Sequence, residues 1–198
     1  MILGFLCGIL GAICFITTSK FHRFAPEFIL MASYENLEYE DMLFEADDHI
    51  RNNRISDAVS LLESIIAQAP DYGKAYNHLG WIFETKLKDY KRAENMYRQC
   101  LAFSPEYPPV YLNLSIALST LGKYDELEVL LNQALTVAGV EKAAIYNEFG
   151  ILYELRQDYN KAIENFREAV RFTLSDPNVE TYMKSIDRCR KKRDLLSS

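Results

Sequence analysis

Three histidines (His22, His49, His78) and four cysteines (Cys7, Cys14, Cys100, Cys189) are the side chains of this 198-residue chain best suited to metal or nucleophilic chemistry. A bound metal needs three or four such ligands brought together, and these are scattered along the sequence. Glu45 and His49 stand four residues apart, on one face of any helix that contains them; a local hydrogen-bonded pair is expected there. The neighbouring carboxylates Glu40/Asp41 and Asp47/Asp48 point apart on a helix and read as solvated. The glycines at 4, 8, 11, 73, 80, 122, 139 and 150 form neither a dinucleotide fingerprint nor a phosphate-cradling loop. The cysteine spacing fits neither a disulfide framework nor a zinc site, which suits a reducing compartment. No enzymatic activity, cofactor or metal is expected from these residues.

The elements that carry the side chains are more informative. Hydrophobic residues make up 49% of the chain and charged residues 25%, so a packed core is expected. The net charge of −6 is uneven. Residues 184–198 hold six Lys/Arg against two Asp/Glu, which leaves −10 on the remainder. An acidic body of this kind argues against nucleic acid as a ligand.

A pattern of 34–35 residues recurs. It reads Tyr76, Leu79-Gly80, Phe83, Ala93, Tyr97, Cys100 and Pro105, then Tyr111, Leu114-Ser115, Leu118, Leu127, Leu131 and Ala134. It returns as Tyr146, Phe149-Gly150, Tyr153, Ala162, Phe166 and Ala169, and a weaker copy precedes it at Met42, Ala46, Ala58, Leu62, Ile65 and Pro70. Ala46 to Gly80 is 34 residues, and Gly80 to Ser115 and Ser115 to Gly150 are 35 each. Apolar residues at i, i+3, i+4 and i+7, twice per period, predict two amphipathic helices per unit. Small residues at fixed slots mark where helix backbones approach closely, and Cys100 fills one of them as a small core residue. Pro70, Pro105 and Pro177 fall at unit ends, where they stop or start helices.

This pattern resembles the tetratricopeptide repeat. The resemblance implies an all-α, right-handed α-α superhelix of antiparallel helix pairs. Four units are expected at 39–72, 73–107, 108–142 and 143–176, followed by a C-terminal capping helix over 177–198. It also implies the function, a protein-protein interaction scaffold or adaptor that holds a partner protein or an extended peptide. The first helix of each unit would line a concave groove. The slots facing it are Leu43 and Asp47, Asn77 and Trp81, Leu112 and Ile116, Asn147 and Ile151, with Glu84 and Glu154 one turn onward and Asn113 beside them. The Asn amides can both donate to and accept from a peptide backbone, or they are merely solvated. Trp81 reads as an anchor or as packing between units. Asp47, Glu84 and Glu154 would favour a partner with a basic segment. The basic residues with which some of these proteins clamp acidic chaperone tails are missing, since Leu43, Leu112 and Asn113 stand in their places.

Residues 1–19 begin with an uncharged apolar run, Met1 to Thr18, which would span about 27 Å as a helix. It reads as a single-pass transmembrane helix that tethers the scaffold to a membrane. Gly4, Gly8 and Ala12 offer a small-residue stripe for helix-helix association. A cleaved secretory signal is the rival, with the chain as an envelope assembly chaperone whose repeat domain is exported. Lys20, His22 and Arg23 follow the run and nothing basic precedes it, which points the repeats toward the cytoplasm. Residues 20–38 form an amphipathic connector. The basic end of the last helix complements the helix dipole or attracts anionic lipid.

Overall fold

The computed structural model describes residues 37–196. Among them stand nine helices and no strand. Helix α1 covers 37–51. It is followed by α2 (Ile55–Gln68), α3 (Gly73–Thr85), α4 (Tyr90–Phe103), α5 (Pro109–Thr120), α6 (Tyr124–Ala134), α7 (Lys142–Leu155), α8 (Tyr159–Phe172) and α9 (Asp176–Leu196). Helices α1 and α2 share the cluster of Leu43, Ala46, Ala58 and Leu62, α3/α4, α5/α6 and α7/α8 pair likewise in sequence, and α9 packs on α8. The first helices touch in succession, α3 against α5 and α5 against α7, so the pairs stack into a solenoid.

The small slots have a specific cause. A Cβ on Gly80 would fall 2.5 Å from the Tyr97 ring, and one on Gly150 would fall 2.5 Å from the Phe166 ring. Tyr97 and Phe166 are fully buried. In the other two units the equivalent facing residue is a leucine, Leu62 or Leu131, and there the small slot tolerates Ala46 and Ser115. Glycine is therefore required where the facing residue is aromatic. Cys100 is fully buried and free, as a small core residue should be.

Each link within a unit turns through one residue with positive φ. These are Asn53 (58°), Lys88 (56°), Gly122 (72°) and Gln157 (62°), again at the repeat spacing. Asp89 and Asp158 cap α4 and α8 by accepting the backbone N–H of Arg92 and Lys161, at 3.0 and 3.1 Å. In the third unit Lys123 stands in the capping place and instead reaches back to Glu94 in the second unit, at 2.7 and 2.8 Å. The leading tyrosines tie unit to unit as well. Tyr76 donates to the Pro70 carbonyl at 2.8 Å and Tyr111 to the Pro105 carbonyl at 2.7 Å.

The membrane helix, the small-residue stripe and most of the connector expected over residues 1–38 lie outside the described residues. Among the described residues, no helix is long and apolar enough to cross a membrane.

Candidate functional site: the groove of first helices

The first helices α1, α3, α5 and α7 present side chains to one face, and a small set of them converges at its amino-terminal half. Asp47, Ile50 and Arg51 of α1, Asn77, His78 and Trp81 of α3, and Tyr107 in the turn before α5 line a cavity of about 260 Å³. His78 Nδ1 lies 2.8 Å from the Lys74 carbonyl oxygen, so that nitrogen carries the proton. Its Nε2 stands 3.4 Å from Asp47 Oδ1 of α1, a contact that links α1 to α3 only when the ring carries a second proton. Trp81 is half-buried, and the Lys86 ammonium sits 5.5 Å from its ring centroid. A cation over an indole face is attracted by the ring quadrupole, so the lysine steadies a ring that also lines the cavity.

The amides form a short ladder. Asn113 Nδ2 donates to Asn77 Oδ1 at 3.0 Å, joining α5 to α3. Asn77 is thereby almost closed off, with 6% of its surface exposed. Asn147 is half-buried and donates to Glu148 at 3.3 Å. Leu112, Ile116 and Ile151 are half-buried, and Ile151 also packs on the cluster of Ala162, Phe166 and Ile186.

Three groove assignments need correction as to placement. Leu43 is not open to the groove. It is 5% exposed and packs in the core with Ala46, Ala58, Leu62 and Ile65, because an apolar side chain at that slot gains more from burial than from solvent. Glu84 is buried too, and accepts the Tyr97 hydroxyl proton at 2.7 Å. Burial raises its carboxyl above the ordinary range, against the opposing hydrogen bond from Tyr97. Glu154 is taken up by the last helix. Arg188 binds both its oxygens at 2.8 and 2.7 Å, and Lys192 adds a third contact at 2.8 Å. The Arg188 hydrogen bonds hold the Glu154 carboxyl down at about 2. Of the three acids expected to attract a basic partner, Asp47 alone keeps an open side.

Other expectations shift in detail. Glu45 and His49 approach to 3.8 Å, beyond hydrogen-bonding range, and His49 Nδ1 is buried with no hydrogen-bond partner among the described residues. Glu148, which stands beside a groove slot, is almost wholly buried, and burial pushes its carboxyl up to about 7. Four cavity residues fall outside the named slots, and the first, His78, directly follows the Asn77 slot. Ile50 is the first unit's equivalent of Glu84 and Glu154, so the one-turn-onward rule reaches it. Arg51 follows it directly. Tyr107 lies between units and has no slot to announce it. No group of three His, Cys, Asp or Glu side chains among the described residues is arranged to hold a metal.

Family models of the tetratricopeptide repeat match residues 45–108, 85–144 and 143–175. A stretch of 149 residues, 70% of the chain, is 25% identical to anaphase-promoting complex subunit 7 of Dictyostelium discoideum. The chain spans about a quarter of that relative's length. Among solved structures, PilF of Pseudomonas aeruginosa superposes with a TM-score of 0.69 at 19% identity, covering 82% of this chain and 77% of its own. A MamA structure superposes with a TM-score of 0.67 at 15% identity, covering 79% and 82%. Likeness at these identities is a likeness of fold.

Proposed function

Because this chain is a tetratricopeptide-repeat protein, we propose that it works as a scaffold that holds a segment of a partner protein in the groove of its first helices. The observation that carries this reading is the cavity beside Trp81. Ile50, Trp81 and Tyr107 give it apolar and aromatic lining, and Asp47, His78 and Arg51 line it with polar and charged groups. Its volume of about 260 Å³ suits one large side chain of an extended peptide. The half-buried Leu112, Ile116, Asn147 and Ile151 continue the track toward the carboxyl end. The reading is one of binding, not catalysis.

A preference for basic segments now rests on Asp47, since Glu84 and Glu154 are engaged internally. The same accounting bears on the basic end of α9. Arg188 and Lys192 hold Glu154, and Arg190 holds Asp187. This leaves few cations of that cluster for a lipid surface.

The tether belongs to the proposal as well. The uncharged run from Met1 to Thr18 anchors the scaffold in a membrane, with the repeats on the cytoplasmic side. Full-length protein should stay with membranes through an alkaline wash, and protease added to intact vesicles should cut the repeats when the cytoplasmic face is outward and spare them when it is inward. A mature chain beginning near Lys20 would instead identify a cleaved signal and an exported domain.

The groove is tested by site-specific photo-crosslinking and its loss. With a photoreactive residue at Ile116, the captured partner should disappear when Trp81→Ala and Asn147→Ala are introduced. Glu164→Lys on the exposed face of α8 should leave capture unchanged. Removing a central aromatic anchor commonly costs about 2 kcal/mol or more of binding, roughly thirtyfold in affinity. Capture that survives the groove variants but is lost with Glu164→Lys would put the partner on the convex face.

A further inference from the structure

The two ends of the solenoid carry opposite charge on faces that no other described element covers. Helix α9 stands where the first helix of a fifth unit would stand, and no second helix covers it among the described residues. Its inner face, Tyr182, Ile186 and Cys189, is buried. Its outer face is a shallow trough of about 400 Å³ lined by Lys184, Asp187, Arg188, Lys191, Lys192 and Leu195. Lys184 and Lys191 form no ion pair among the described residues. At the other end, α1 turns outward an apolar pair, Leu37 at 59% exposure and Phe44 at 69%. Glu38, Asp41 and Glu45 flank that pair, all exposed. Glu38 and Asp41 have no partner among the described residues, and Glu45 has the loose contact to His49.

The spacings agree. Glu38 and Glu45 lie seven residues apart, as do Leu37 and Phe44, and as do Lys184 and Lys191. Seven residues are about 10.5 Å of helix. We infer that one copy of this chain docks the α1 face of a second copy into the α9 trough, so that the acids of α1 meet Lys184 and Lys191 and Phe44 is covered between them. Such a contact joins unlike surfaces. It therefore closes into a ring of two or more copies or extends as an open row. The groove faces of successive copies would be presented side by side, and a partner with several binding segments would be held with a gain in avidity. Ion pairs at a rim of this kind are screened by salt, so the association is strongest at low ionic strength.

Sedimentation velocity of the full-length chain in a mild non-ionic detergent tests this. At 50 mM salt the mass should rise with concentration beyond one chain per particle, and at 500 mM it should return to a single chain. Lys184→Glu with Lys191→Glu should weaken self-association by about tenfold or more, because like charges then face each other. Glu38→Lys with Glu45→Lys should do the same. An equimolar mixture of the two reversed proteins should associate again, since each then offers the face that the other lacks. All four substituted side chains are exposed, and unchanged circular dichroism would confirm that the folds are intact. A single chain at every concentration and salt would overturn the inference. So would association indifferent to both reversals, or failure of the mixture to associate, the latter being expected if residues 1–36 cover the α1 face. Loss of binding to phosphatidylserine vesicles on reversal of the lysines, with sedimentation unchanged, would assign the trough to membrane lipid and also overturn it.

Discussion

At the scale of single residues, the requirement for glycine comes from the ring it faces. A Cβ on Gly150 meets the buried Phe166 at 2.5 Å. Gly150→Ala should therefore cost about 1–3 kcal/mol by overpacking. The first and third units show how the cost is relieved, because a leucine faces Ala46 and Ser115 there. Combining Gly150→Ala with Phe166→Leu should lose much less than the sum of the two single changes, with a coupling on the order of 1 kcal/mol or more in a double-mutant cycle. Additive denaturant midpoints would mean that the two residues do not constrain each other. A pair of acids on α7 makes a second residue-scale prediction. Burial raises the Glu148 carboxyl to about 7, so the folded form binds a proton that the unfolded form has released above about 4.5. Stability from this group is greatest at low pH and falls as pH rises from about 4.5 to about 7, by on the order of 3 kcal/mol. Glu154 has the opposite sign. Its carboxyl is held at about 2 by Arg188, so its contribution is present above about 4.5 and lost as pH falls toward 2. The α7–α9 region should be most stable near pH 5. Glu148→Gln should flatten the alkaline side of that profile in thermal melts and leave the acid side in place. A profile unchanged by Glu148→Gln would show that the group titrates normally.

At the scale of elements, the links inside the units show what a sequence pattern conveys and what it omits. The repeat of Gly80, Ser115 and Gly150 made the helix pairs legible, because a small residue at a fixed period marks a fixed close approach of two backbones. The positive-φ position of each link repeats just as strictly, yet Asn53, Lys88 and Gln157 occupy it in three units of four. Residue type conceals the turn, since the packed helices on either side impose the conformation. Gln157→Gly should then stabilise the protein by up to about 1 kcal/mol. The left-handed conformation costs a non-glycine residue roughly 1–2 kcal/mol, and glycine returns part of that gain as unfolded-chain entropy. Unchanged or lower stability in chemical denaturation would count against the turn as described. The groove slots were legible as positions but not as free chemistry. Trp81 and Asn77 line one cavity with Asp47. Glu84 and Glu154, however, find their partners 13 and 34 residues away, in Tyr97 and Arg188. Slot arithmetic describes a helix face, and only the packing of the next helix decides which acids on it remain unpaired.

At the scale of the whole molecule, every joint between units is closed by an acid from one side and a cation from the next. Glu40 meets Lys74, Glu94 meets Lys123, Glu128 meets Arg156, and Glu154 meets Arg188 and Lys192. Apolar clusters run beneath these pairs, the last of them joining Ala162, Ile163 and Phe166 to Ile186 and Cys189 of α9. A solenoid held by such neighbour contacts has a stability close to the sum of its units and their interfaces, so damage at one end should fade along the stack. Ending the chain at Ser175 tests this directly. It removes α9, uncovers Ile163 and Phe166, and leaves Glu154 without either cation in a partly buried place. Amide hydrogen exchange in α7 and α8 should speed up by about tenfold or more, which corresponds to a loss of about 1.4 kcal/mol or more of local protection. At 500 mM salt, where the chain is single, exchange in α1 and α2 should change by less than about twofold, because within one chain the hydrogen bonds and ion pairs of α9 go to α7 and α8. The double variant Arg188→Ala with Lys192→Ala should give a weaker version of the same gradient, since it opens the Glu154 contact and keeps the apolar cover. Equal acceleration in all helices would show that the four units unfold as one cooperative block. No acceleration in α7 and α8 would show that α9 is dispensable to the fold.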